Sequence, residues 1–195
     1  VDAIVMAEGL GPPDMTDRTD GAKALRMEAV RISFTCGAEP RPLVSLDHAV
    51  ARLLANNPRL PKKRARKIAR HLTHCQDDGQ FHWAFDPRAG SMFAAPEDSY
   101  RYWPYIQCPS LIVNGKEAHE FWRKLFPEAV DWSGKFGPGE LEARVALMPN
   151  AELREIENAG HMLHFDAPEQ LAKTTLAFFK RRGFVQITGA QRRIR

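Results

Sequence analysis

The chain has 195 residues, of which 44% are hydrophobic and 27% charged. That balance can bury a real core and excludes a disordered or low-complexity chain; it suits one domain, or a domain with an inserted subdomain. A formal charge of +4 is too small to mark nucleic-acid binding by itself, and no apolar run approaches the roughly 18 residues of a membrane span.

In chain order, "DAIVMAEG" is a short apolar run closed by Glu-Gly, as expected of a buried parallel strand. The break "GLGPPDMTD" follows. Helical patterns are predicted at about 21–34, 45–56 and 61–75. Ser45 or Asp47 is suited to cap the second, and Pro61 fits the first turn of the third. "DDGQFHWAFDPRAG" is a turn, a short extended aromatic stretch and another turn, and "PEDSYRYWPYIQ" is read as a short helix. "CPSLIVNG" is a second buried strand. Helices are predicted in "EAHEFWRKLF" and "GPGELEARVALMP". "AELREIENAG" is a third strand, and "DAPEQLAKTTLAFFKRRG" is a final helix with Pro168 near its start and Gly183 as its stop.

Strand alternating with helix predicts an α/β fold with a parallel sheet. The expected organisation is a core strand and loop at 1–14, a helical cap insertion at 15–105, core strands and helices at 106–185 and a tail at 186–195. Three strands make a poor sheet with exposed edges, and "VDAIVMAEG" opens inside an apolar run. We therefore expect an amino-terminal portion outside this sequence.

His161 is the leading candidate for chemistry. It sits after Gly160 on the corner between the third strand and the final helix. Functional groups gather at the carboxyl ends of parallel strands, and a histidine held there can exchange protons near neutral pH. The alternative is a capping or core histidine. His164 is read as structural. The basic run "PKKRARKIAR" lacks interleaved aromatics, so it is read as a solvated helix and no nucleic-acid partner is expected. Phe81, Trp83 and Phe85 alternate. They pack a core or, in a cap, line an apolar substrate pocket. Phe121, Trp122 and Leu125 are read as a core-facing helix stripe. No His/Cys/Asp cluster has metal-ligand spacing, so neither metal nor cofactor is expected. Cys36, Cys75 and Cys108 form no CxxC. They are read as reduced, mostly buried thiols of a cytoplasmic protein.

"CPSLIVNG", followed by "ELREIENAGHMLHFDAPEQLAKTTLAFF", resembles the carboxyl-terminal signature of the α/β-hydrolase fold. The resemblance covers roughly 1–15 and 105–183, and "SLDHAVARLLANNPRL" with "DGQFHWAFDPR" is similar to the caps of serine-hydrolase-like proteins. It implies that His161 is the base of a catalytic triad acting on a small-molecule ester or related acyl substrate. Such enzymes carry the nucleophile on a G-x-S-x-G elbow. No such motif occurs in this chain, and Ser110, Ser133 and Cys36 lack the context of one. The N-terminal strands and elbow would then lie on another segment, possibly a separate chain, and this chain alone would be inactive. The competing reading is a non-catalytic truncated relative or binding subunit. The resemblance leaves two alternatives for the triad acid. Glu117 follows "CPSLIVNG", where many relatives carry an acid, while Glu8 in "VMAEGLGPP" resembles the arrangement of haloalkane dehalogenases. We favour Glu8, because it comes straight off a buried strand.

Overall fold

The computed structural model describes residues 1–14, 42–77, 79–85, 100–126 and 130–185. The predicted helix at 21–34, Cys36 and the tail at 186–195 lie outside them. Two compact units are present. One joins Val1–Asp14 to Ala95–Arg195, and the other is Met15–Ala94.

The first unit holds a three-stranded sheet made of β1 (Ile4–Ala7), β4 (Ser110–Gly115) and β5 (Ala151–Ile156), in the order β1-β4-β5. Both pairings are parallel, with Val5 opposite Leu111 and Ile112 opposite Leu153. All three strands therefore end on the same edge. Alternation along β4 sends its side chains to two cores. Leu111 and Val113 pack with Ile156, Leu163 and Phe178 on one face. Ile112 packs with Leu10, Trp103, Leu141, Val145 and Met148 on the other. Helices cover both faces, which is why β4 reads as an unbroken apolar run. Helix α6 (Pro168–Arg181) supplies Phe178 to the first core. Helix α4 (Glu140–Val145) supplies Leu141 and Val145 to the second. Pro168 starts α6, and Gly183 follows its end at a φ of 77°. Trp103, inside the range expected for the cap, forms a single 3₁₀ turn, Trp103–Tyr105, and is buried in the second core.

Between β4 and α4 runs α3 (His119–Leu125). Trp122 is buried as expected, but Leu125, at the last turn, is 44% exposed. Leu125 is still helical, but by this last turn α3 is leaving the packed surface. The short α5 (Leu163–Asp166) lies between β5 and α6.

The second unit contains α1 (Leu46–Asn56), α2 (Lys62–Leu72) and an antiparallel hairpin of β2 (Thr73–Cys75) and β3 (Phe81–Trp83). Ser45 caps α1, its hydroxyl accepting from the His48 N–H at 3.1 Å. Helix α2 stops three residues short of the predicted 75. Thr73 to Cys75 pair with Phe81 to Trp83 instead, and pairing with a distant segment overrides local helical periodicity. Helix α2 buries Ala65 and Ala69, while His71 is exposed. Cys75 is exposed on this hairpin and Cys108 half-buried. The expectation of mostly buried thiols thus fails at both described cysteines. Both His74 and Cys75 of the short β2 are exposed, and Cys108 lies in the turn entering β4 rather than in the strand.

Candidate active site

The common edge of the three parallel strands gathers the candidate residues. β1 runs into Glu8, β4 ends in Asn114 and Gly115, and β5 leads through the Ala159–Gly160 turn to His161. Glu8 has a φ of 58°, in the left-handed region that side-chain-bearing residues seldom occupy. Its backbone N–H donates to the Val113 carbonyl at 2.9 Å, which holds the turn against β4.

The Glu8 side chain is only 4% exposed, and its Oε2 lies 3.2 Å from Nδ1 of His161. The Gly115 N–H donates to Oε1. Burial raises the Glu8 carboxyl above its usual range, and the hydrogen bonds from His161 and Gly115 work against that rise. The His161 ring stacks on Phe121, with centroids 4.0 Å apart and planes 11° apart, and meets the edge of Trp122 at 4.7 Å. Sequence reasoning gave Phe121 to the core; it packs instead against the candidate base. The turn is fixed from behind, since the Gly160 N–H donates to Asp166 Oδ2 at 2.8 Å and the Glu117 N–H to the Ala159 carbonyl at 2.9 Å.

Among the described residues, Glu8 is the carboxylate hydrogen-bonded to His161. The Glu117 side chain is about a third exposed and faces His119, 3.7 Å from its Nδ1. Ser110 is buried and its hydroxyl donates to the Cys108 carbonyl, while Ser133 accepts from the Lys135 N–H. Glu117, His119 and Glu120 each place a donor atom within 4.8 Å of the others, and these residues can hold a cation. The grouping arises because the chain turns into α3 just after Glu117, which brings residues i, i+2 and i+3 together. A cavity of about 330 Å³ borders Asn114, Gly115, His119 and Phe136. Neither Glu8 nor His161 lines it, so it is not the space in which His161 would act.

Gly115 is the close approach that makes the site possible. A Cβ there would lie 2.6 Å from the Gly160 carbonyl oxygen, 2.9 Å from the Ala159 carbonyl carbon and nearer still to the Ala159 oxygen. Backbone cannot yield as a flexible side chain does. Gly115→Ala is therefore expected to destabilise the first unit by about 1–3 kcal/mol and to displace the His161 turn. A shift of the urea midpoint measures the first effect. An unchanged midpoint would show that the turn moves aside freely.

The model of the alpha/beta hydrolase family matches residues 3–174. The chain belongs to that family. Among solved structures, this hydrolase-family chain is similar to a thioesterase domain from the curacin biosynthetic pathway, at 17% identity and a TM-score of 0.58, covering 91% of this chain and 58% of that one. It is similar to E-2-(acetamidomethylene)succinate hydrolase at 18% and 0.58, covering 92% and 58%. It is also similar to an esterase of Mycobacterium tuberculosis at 15% and 0.64, covering 92% and 55%. At these identities the likeness is one of fold. The chain spans a little over half the length of each. No curated protein matches it. No described helix is long and apolar enough to cross a membrane.

Proposed function

We propose that this chain is the carboxyl-terminal part of an α/β-hydrolase and carries the acid–base half of its site. The observation that supports this best is the buried Glu8 carboxylate bonded to Nδ1 of His161 at the shared end of parallel strands. With Nδ1–H donating to Glu8, the other ring nitrogen, Nε2, is left as the acceptor. His161 then takes the proton from a nucleophile as it attacks the substrate acyl carbon. It returns that proton to the leaving group, and in the second half-reaction it activates water against the acyl-enzyme.

The nucleophile and oxyanion donors come from a segment outside this sequence, in which no G-x-S-x-G occurs. That segment, possibly a separate chain, is the partner this reading requires. Met15–Ala94 lies between β1 and β4 in the chain, the sequence position of a cap in such enzymes. Its Phe81, Trp83 and Phe85 are the candidates for an apolar substrate wall.

The test is hydrolysis of short nitrophenyl esters. The 195-residue chain alone should be inactive, the protein carrying the upstream segment active, and His161→Ala in that protein nearly dead. Activity of the isolated chain, or a silent His161→Ala, would overturn the reading.

A further inference from the structure

We infer that Asn114 is a positioning residue for the Glu8–His161 pair, its side-chain amide locking the Glu8 carboxylate toward the imidazole. The inference rests on the reading of His161 as the base. Asn114 is 6% exposed, the penultimate residue of a strand whose every residue is buried. A polar side chain in such a place needs a partner. An amide's nitrogen and oxygen are told apart by what they face. A carboxylate that is ionised only accepts, so the nitrogen is the atom turned to Glu8. It then lies 3.1 Å from Oε1 and 3.1 Å from Oε2.

Each carboxylate oxygen thereby has two donors. Oε1 receives the Gly115 N–H and the Asn114 amide, and Oε2 receives His161 Nδ1 and the same amide. The fork leaves the carboxylate little freedom to rotate away from His161. It also supplies a neutral donor where burial disfavours the charge. The charged groups acting on the pair are few. His161 itself faces Glu8. From α5, His164 interacts electrostatically with His161, and Asp166 with His164. From α3, the side chains stacked on His161 are the uncharged Phe121 and Trp122.

Two variants test this. Asn114→Leu keeps the approximate size and removes the donor. Asn114→Asp keeps the shape and puts an acceptor against Glu8. A hydrogen bond to a charged group carries enough energy to shift a titration by about one pKa unit or more. The Glu8 carboxyl, followed by carbon NMR in the chain, should therefore titrate at least about one unit higher in Asn114→Leu. It should move further still in Asn114→Asp, where two carboxyls share one proton. In the protein carrying the upstream segment, the acid limb of the kcat/KM profile should move up with the Glu8 step. A Glu8 titration unmoved in either folded variant overturns the inference, and Asn114→Asp keeps it open to refutation should the leucine variant fail to fold. The Glu8 titration needs no turnover. A silent His161→Ala would sink the hydrolase reading without touching that result, so the two failures are distinguishable.

Discussion

On the proposed reading, Glu8→Gln in a protein carrying the upstream segment should lower turnover by about 10²–10⁴-fold, as loss of the orienting carboxylate does in serine triads. The hydrogen-bond pattern explains why so conservative a change has so large an effect. The Gly115 N–H points at Oε1 and needs an acceptor there. A glutamine has one carbonyl oxygen, and the Gly115 N–H claims it. The glutamine NH₂ is then left at the Oε2 position, 3.2 Å from Nδ1 of His161. Two donors cannot face each other, so the histidine adopts the tautomer with its proton on Nε2. In that form it cannot accept the nucleophile's proton.

The same substitution should not weaken the fold. Burial raises the Glu8 carboxyl in the folded state. As pH rises past the unfolded value of 4.5, the unfolded chain releases this proton while the folded one still holds it. Folding therefore loses stability up to the folded pKa and keeps that deficit above it. A neutral glutamine removes the deficit, so at pH 7 the melting temperature of Glu8→Gln should stay level or rise. Glu117→Gln is the control. Its carboxylate faces His119 and solvent, and turnover should hardly change. If Glu117→Gln abolishes turnover and Glu8→Gln is nearly silent, the assignment of the acid is wrong. If neither matters while His161→Ala does, something else orients the base.

The legible parts of this molecule are those set by local pattern. Three apolar runs with helices between them announce a parallel sheet. In such a sheet the ends of "VMAEG", "LIVNG" and "ENAGH" must fall on one edge, so the pattern alone puts Glu8 and His161 within the same neighbourhood. Asn114 was legible too. A lone amide at the end of a buried strand calls for a partner. Contacts set by distant chain segments were not legible. Nothing near Thr73 says that it will pair with Trp83 rather than continue a helix. Nothing in "NGKEA" says that Gly115 must be glycine, because the carbonyls that crowd it belong to residues 159 and 160. Phe121 reads as one more helix aromatic until the turn after β5 brings His161 onto its face.

Arg144 illustrates the same limit, and it carries the largest expected effect on stability. In sequence it is one arginine of an amphipathic helix. In the fold its side chain is 6% exposed. Its Nη1 donates to the carbonyls of Leu10 at 2.9 Å and Pro12 at 2.7 Å. Its Nη2 reaches Asp14 at 2.8 Å and Glu140 at 2.5 Å. The guanidinium also lies 5.5 Å from the Tyr100 ring and 5.1 Å from the Phe136 ring. It thus ties the segment just after Glu8 to α4. Arg144→Met retains much of the apolar stem but strands the Leu10 and Pro12 carbonyls and leaves the largely buried Glu140 carboxylate with only the Asp14 and Gly137 N–H groups, and no cation. Breaking a buried pair from one side costs about 3 kcal/mol or more, since the remaining groups lose their partner and regain little water. Arg154→Met removes the half-exposed partner of Glu152 and should cost under about 1 kcal/mol. Arg144→Lys keeps the charge, but a point ammonium cannot serve four acceptors from two nitrogens, so it should fall between the two. Urea midpoints of the three variants give the ranking. Equal midpoints for Arg144→Met and Arg154→Met would mean that the segment from Leu10 to Asp14 is held by its apolar contacts alone. Glu8 would then owe its place to β1 and β4 rather than to the loop that follows it.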